Sequence, residues 1–318
     1  MAQLIPKTTR QWNVVGYNGI ESLTFSKPPV PELGDTEVLV RIHGVSLNPR
    51  DIIVTQGKFP WGTKPNIVPG SDGAGIVVTV GKHLDGTLRT LGAFDEQGLV
   101  SMPRGLTFPE AATLTCAGLT AWNALFGLAG RPVAAGHWVL TQGTGGVSLF
   151  AVQFAKLVGA RVIATTSSAD KAKLLEKLGA DHIINYRETP DWGSVAKELT
   201  GGVGVDYVID VVGPTSLKQS VAAVKHDGVI SILGAVGGGD STAEMPVLLD
   251  CWMKLFTARG LWVGNRIQME DMCRAVEANL DKLRPVVDPN IFTLEQTKEA
   301  YEYLASGKHQ GKVCIEIA

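Results

Sequence analysis

The chain has 318 residues, 45% of them hydrophobic and 19% charged, with a formal net charge of -2. That length accommodates two domains and a large core, and the near-neutral charge gives no electrostatic basis for nucleic acid or an anionic membrane as a partner. No run approaches about twenty consecutive apolar residues, and "MAQLIPKTTRQW" lacks an apolar signal core. The expectation is therefore a cytoplasmic protein, neither secreted nor membrane-spanning. Cys116, Cys251, Cys273 and Cys314 include no C-x-x-C pair, which argues against a zinc ribbon and gives little support to a disulfide framework.

From Val14 to about Gly81 the pattern is strand-like, short β-branched runs broken by Pro and Gly. "EVLVRIHGVSLN" sets Val38, Val40 and Ile42 against Leu39, Arg41 and His43, which predicts a half-buried strand. From about Val139 the rhythm becomes apolar run, helix, apolar run: "WVLT", "RVIATT", "HIINY", "DYVIDVVG" and "GVISILG" are spaced as βα units of a parallel sheet. After "ARGLWVG" come the helical "MEDMCRAVEANL" and "LEQTKEAYEYLASG", then a final strand, "KVCIEIA". The predicted fold is α/β: an irregular β domain, an inserted dinucleotide fold, and a tail returning to the first domain.

"QGTGGVS" supplies Gly143, Thr144, Gly145, Gly146 and Val147 between a strand and a helix. One glycine permits the tight turn; another lets backbone N–H groups approach a pyrophosphate at the positive end of the helix. Ser148 stands for the third glycine of the G-x-G-x-x-G fingerprint and is small enough for close packing. Val147, Phe150, Ala151, Phe154 and Val158 fall on one helical face, with Gln153 and Lys156 predicted to face outward. A Rossmann-like domain without a cofactor is the alternative.

The second strand of the unit ends in Thr165-Thr166-Ser167-Ser168, with no carboxylate before Asp170. A carboxylate there would hydrogen-bond the ribose of NAD and repel a 2′-phosphate. Ser167 and Lys171 suit that phosphate instead, the lysine lying in the first turn of a helix, where the macrodipole disfavours a cation unless an anion is near. NADPH is favoured over NADH, unless Lys171 is a solvated surface lysine.

Together "PPVPELGDTEVLVRIHGVSLNPRD", "PNIVPGSDGAGIV", "EAATLTCAGLTAWNAL", "GTGGVS", "AKLLEKLGADHIINYRE", "GVDYVIDVVG" and "GKVCIEI" resemble the medium-chain dehydrogenase/reductase superfamily. The closest likeness is to its zinc-independent quinone oxidoreductase and enoyl reductase branch, over nearly the whole chain. The resemblance implies a GroES-like catalytic domain (1–115), a Rossmann NADP-binding domain (116–255) and a returning segment (256–318). Zinc-dependent members carry Cys-x-x-Asp where this chain has Asn48-Pro49-Arg50-Asp51, and Gly-His-Glu-Gly where it has Gly70-Ser71-Asp72-Gly73. Neither Asn48 nor Ser71 replaces thiolate and imidazole ligands, and Cys116, near the remaining cysteine ligand, cannot hold a metal alone. No metal is expected.

In zinc-free relatives the Asn-x-x-Asp motif lies beside the nicotinamide and the substrate, which implies roles for Asn48 as an amide donor and for Asp51 in orienting Asn48 or a water; "NPRD" also reads as a plain turn. Thr120 matches a position at the nicotinamide end, Tyr186 one that contacts the adenosine phosphate alongside Lys171, and Leu233, Gly234 and Ala235 the strand end facing the nicotinamide amide. Relatives have a further Gly-Asp-Arg-Val type strand after the segment matching "GIVVTVGKH". Here the first domain is shortened after residue 83, implying a more open substrate pocket or a partly unfolded domain.

The implied reaction is hydride transfer from NADPH to a quinone or α,β-unsaturated carbonyl, whose developing anion a few hydrogen bonds can stabilise. Zinc-independent oxidation of a small alcohol and non-catalytic NADPH binding are the alternatives. The proton source is Tyr17, a water near Asn48 and Asp51, or solvent. No Ser/His/Asp or Cys/His arrangement is recognisable. Relatives pair the edges of two Rossmann sheets, and the apolar "ARGLWVGN" implies a homodimer.

Overall fold

A computed structural model describes residues 5–31, 33, 36–80, 86–234 and 245–318. The chain opens with an antiparallel pair, β1 (Gln11–Val14) and β2 (Leu23–Ser26), followed by the long β3 (Glu37–Ser46). Helix α1 (Pro49–Thr55) leads to β4 (Asp72–Val80), which pairs along one edge of β3. The other edge is shared: β5 (Leu91–Asp95) takes Glu37–Arg41, and the strand Lys312–Glu316 takes Gly44–Ser46. β3 is therefore central.

Its predicted half-burial is corrected. Val38, Leu39, Val40, Ile42 and Val45 are all buried, leaving Arg41 and His43 partly exposed. The second face is covered by α2 (Phe108–Ala112), which approaches so closely that a Cβ on Gly44 would stand 2.4 Å from the Phe108 carbonyl carbon. His43 stacks on the Phe108 ring at 4.8 Å. The shortened segment does not interrupt the sheet, since β4 and β5 both hydrogen-bond β3; residue 83 itself lies outside the described residues.

Helix α3 (Leu119–Phe126) begins the second unit. Parallel strands β6 (Trp138–Gln142), β7 (Arg161–Thr166), β8 (His182–Asn185), β9 (Val205–Asp210), β10 (Val224–Ile232) and β11 (Thr257–Gly260) then form one sheet. Helices α4 (Gly146–Leu157), α5 (Ala169–Lys177), α6 (Trp192–Leu199), α7 (Leu217–Ala223) and α8 (Leu248–Met253) lie between them in sequence. Spatial order is β11-β10-β9-β6-β7-β8, so successive strands run outward one way from β6 and the other way from β9. This is the doubly wound order, with its switch point between β6 and β9.

Of the predicted inner face of α4, Phe150, Ala151 and Phe154 are buried and Val147 and Val158 half-buried, while Gln153 is buried rather than outward: its Nε2 donates to the Lys282 carbonyl at 3.1 Å, so the returning chain covers that side. Trp122 of α3 packs edge-on against Phe154.

Residues 1–116, 269–280 and 284–318 make up the first compact unit, 117–268 and 281–283 the second. The return expected at 256 thus falls at 269, because β11 is hydrogen-bonded to β10 and belongs to the second sheet. Back in the first unit, β12 (Val287–Thr293), which the sequence did not signal, runs parallel to β13 (Lys312–Glu316). Tyr301 and Leu304 of the helix Thr297–Ala305 complete the core.

Candidate functional site

In the second unit the glycine turn lies at the C-terminal end of β6, beside the switch point. Gly143 has φ +72°, a left-handed conformation that glycine adopts without strain. Gly145 is the N-cap of α4, and a Cβ built on it would meet nothing within 4 Å. Open space therefore stands at the N-cap of a twelve-residue helix, whose first-turn N–H groups have no partner within the helix itself, which fits a pyrophosphate. Thr144 is buried, Gly146 and Val147 half-buried, and the Ser148 hydroxyl donates to the Gln142 carbonyl at 2.6 Å, closing the turn.

Ser167 follows β7, and Ser168 caps α5 by accepting the Lys171 N–H at 3.4 Å. Tyr186, 41% exposed, follows β8 and is tied to β7 by its N–H to the Thr166 carbonyl. Leu233 follows β10 and bonds the Asp210 carbonyl at 2.9 Å, with Gly234 next; Ala235 lies outside the described residues. Thr120 is buried in α3. The glycine turn, the loops carrying Ser167, Tyr186 and Leu233, and the first turn of α5 with Lys171 thus all lie at the carboxyl ends of parallel strands, where open α/β sheets bind ligands.

A polar layer that sequence reasoning missed underlies the turn. Buried Asp210 at the end of β9 accepts from Gln142 Nε2 (3.1 Å), Ser216 Oγ, Ser220 Oγ (2.6 Å) and the Gly213 N–H (2.8 Å). Gln142 Oε1 accepts from the Val211 and Val212 N–H groups at 3.3 Å. The only signal was the acidic end of "DYVID".

In the first unit the N-terminus of α1 meets the N-terminal end of β4 and the start of β13. Pro49 occupies the first turn of α1, where no N–H is needed. Asp51, fully buried, accepts the Asn48 backbone N–H on Oδ2 (2.9 Å) and the Gly70 N–H on Oδ1 (3.3 Å), with Arg50 Nη1 at 3.5 Å. The Asn48 side chain turns instead to β4: Nδ2 donates to Asp72 Oδ2 (2.8 Å) and Ser71 Oγ (3.3 Å). Its Oδ1 accepts from Lys312 Nζ at 2.6 Å. Lys312 also donates to the Leu47 carbonyl (2.6 Å) and stands 3.7 Å from Asp72 Oδ2. Asp72 and Lys312 were not singled out in the sequence, although both lie in motifs that carry the family likeness. Tyr17, a candidate proton donor, is exposed and lies over Gly57.

Burial pushes the Asp51 carboxyl up to about 6, against the opposing pull of Arg50. Burial also raises Asp72, with Lys312 and the Asn48 amide acting the other way. The Cys116 thiol is pushed up to about 12 by burial, with Asp72 adding to the effect.

These residues do not fit zinc. Asn48 has both polar atoms engaged, Ser71 offers only a hydroxyl, and an ammonium 2.6 Å from Asn48 Oδ1 would repel a dication. Among the described residues no group of three or more His, Cys, Asp or Glu could hold a metal ion.

Residues 34–90 match the alcohol dehydrogenase GroES-like domain, and residues 146–278 the zinc-binding dehydrogenase family. A zinc-type alcohol dehydrogenase-like protein of Schizosaccharomyces pombe is 39% identical over 337 residues, covering 94% of this chain and 96% of that one. A 2-methylene-furan-3-one reductase of Solanum lycopersicum is 30% identical over 347 residues, covering 98% and 80%. A crystal structure described as an NAD-dependent alcohol dehydrogenase superposes with a TM-score of 0.87 at 30% identity, covering 97% and 100%. With a GroES-like first unit, a doubly wound second unit and these relatives, the chain is an oxidoreductase that belongs to the medium-chain dehydrogenase/reductase superfamily.

Proposed function

We propose that the chain is a zinc-independent reductase that transfers a hydride from NADPH to a quinone or an α,β-unsaturated carbonyl compound in the cytoplasm. The observation that carries this reading is the Asn48 side chain, locked between Asp72 and Lys312 at the position where zinc-dependent members carry a cysteine ligand. An unactivated ketone or aldehyde needs a strong electrophile to accept a hydride. A conjugated acceptor spreads the developing charge over an enolate or hydroquinone oxygen, and neutral donors are enough to stabilise it. The name of the tomato relative describes such a methylene ketone.

NADPH supplies the hydride when bound. Gly143, Thr144, Gly145, Gly146 and Val147 hold the pyrophosphate; Ser167, Lys171 and Tyr186 hold the 2′-phosphate; Thr120, Leu233 and Gly234 support the nicotinamide end. No carboxylate between Thr165 and Ser168 opposes the phosphate, which favours NADPH despite the NAD dependence named for the solved relative. Asn48 is the substrate-facing donor of the first unit, and Asp51 fixes its backbone.

The second reading, oxidation of a small alcohol, draws on the names of the yeast and crystallographic relatives. NADPH oxidation against a panel of quinones, enones, aldehydes and ketones separates the two. Turnover of enones or quinones, reduced by Asn48→Ala with NADPH affinity within a few fold, supports the reductase. Good reduction of simple aldehydes with inert enones selects the alcohol dehydrogenase; NADPH binding with no turnover of any of them leaves a binding protein.

The same reading includes a homodimer. β11 is an outer strand of its sheet, and α8 beside it in sequence exposes Leu248 (89%) and Trp252 (69%). An edge left unpaired among the described residues and flanked by exposed apolar side chains suits a second copy of the chain. Light scattering at micromolar concentration should give twice the chain mass, and a monomer there rejects the assembly.

A further inference from the structure

We propose that Lys312 is the resident cation of the first-unit site and the positioning residue for Asn48, standing in charge where zinc-dependent relatives place a metal; the catalytic part of this inference rests on the reductase reading.

Lys312 is 5% exposed, and its ammonium is spent on two oxygens at 2.6 Å, the Leu47 carbonyl and Asn48 Oδ1. A buried ammonium is costly to desolvate and is retained where anions and acceptors repay it. Here they are the two buried carboxylates, Asp72 at 3.7 Å and Asp51, whose carboxyl the Lys312 charge also reaches.

The carboxamide of Asn48 has two orientations related by a half-turn, and Lys312 makes them unequal. As it stands, Oδ1 faces the ammonium and the NH2 group faces Asp72 and Ser71. Turned over, it would set NH2 against an ammonium and a carbonyl oxygen against a carboxylate, two repulsions in a dry site. Lys312 thus fixes which edge of the amide donates. Of the two donor hydrogens, one is committed to Asp72; the other goes to the exposed Ser71 hydroxyl at the long distance of 3.3 Å, the contact that a stronger acceptor can displace.

The test compares Lys312→Met, close in length but uncharged, with Lys312→Arg and with the double variant Asp72→Asn/Lys312→Met. Urea midpoints between pH 5 and 8 read the charge without reference to activity. The ionisable groups bearing on this site are Arg50, Asp51, Asp72, Cys116, Cys314 and Tyr301. Of these, Asp51, pushed up to about 6, changes state across the lower part of the range, and burial raises Asp72 as well. The midpoint deficit of Lys312→Met should widen as pH rises and the carboxylates lose their counter-ion. Lys312→Arg should lack that trend, and the double variant should recover part of the loss. A deficit independent of pH, equal in the Met and Arg variants, overturns the resident cation whatever the enzyme turns over. With an enone substrate, kcat should fall at least tenfold in Lys312→Met, with NADPH affinity within twofold and partial return in Lys312→Arg. An unchanged kcat in an active parent overturns the positioning role, while an inactive parent counts against the reductase reading and leaves the urea comparison to decide the cation.

Discussion

Asp51 accepts the backbone N–H of Asn48 at 2.9 Å, reaching back across the first turn of its own helix. This is half of a capping box; the other half is missing because the Asn48 side chain points to Asp72. The carboxyl that fixes the backbone is itself fully buried, and its pKa rises from 3.8 to about 6.

That shift has a sign. Between about pH 4 and 6 the folded state holds a proton at Asp51 that the unfolded chain releases, so unfolding loses protons. Stability from this group is fully present below the unfolded value and is lost as pH rises through 6. Two units correspond to roughly 2–3 kcal/mol. Asp51→Asn should flatten the pH 4–7 slope of urea-unfolding free energy by about that amount; an unaltered slope would remove the protonated carboxyl from the account.

Gly145→Val separates fold from ligand. The glycine has φ -71° and ψ 167°, ordinary for any residue, with nothing near its Cβ position, so the cost is at most about 1 kcal/mol at an N-cap. Thermal unfolding should move little while NADPH binding is abolished, as seen by nucleotide fluorescence titration. Binding at parental affinity would place the pyrophosphate elsewhere.

Cofactor choice depends on the segment after β7. NADPH should bind at least tenfold tighter than NADH, about 1.4 kcal/mol, and Lys171→Ala should erase most of that difference. Isothermal titration with both nucleotides checks it, and equal affinities in the parent contradict the phosphate assignment.

Zinc content is the fourth expectation. Because the Asn48 and Lys312 contacts fill the position with an amide and an ammonium, purified protein should hold zinc well below one equivalent. Chelators should leave NADPH-dependent turnover unchanged. One equivalent lost together with activity, by elemental analysis, would mean the side chains rearrange around a metal.

Much of this was legible in the sequence because local rules carry it. The βα rhythm and "QGTGGVS" predict the second sheet and its turn, since strand periodicity and glycine conformations are set by near neighbours. What escaped was set by distant ones. β3 reads as half-buried because nothing in "EVLVRIHG" announces that α2 will press on Gly44. Gln153 reads as outward because its partner, the Lys282 carbonyl, lies 129 residues on. Lys312 was visible only as the first residue of a strand; its meaning depends on Asn48, 264 residues earlier.

β3 takes β13 on the same edge as β5, so the middle of the first sheet is completed by residues made long after β3 itself. The second unit is nearly continuous, from 117 to 268, and closes its sheet before those residues exist. Synthesis from the N-terminus therefore imposes a schedule: the inserted unit can settle while the flanking one waits with the Gly44–Ser46 edge unpaired. That waiting edge is a ribbon of free N–H and C=O groups, open to a neighbouring nascent chain. Proteolysis of stalled ribosome complexes should find 117–268 protected well before 37–95, and simultaneous protection of both would deny the schedule. The polypeptide thus has a period of vulnerability, set by its topology, that ends when Lys312 and its strand arrive.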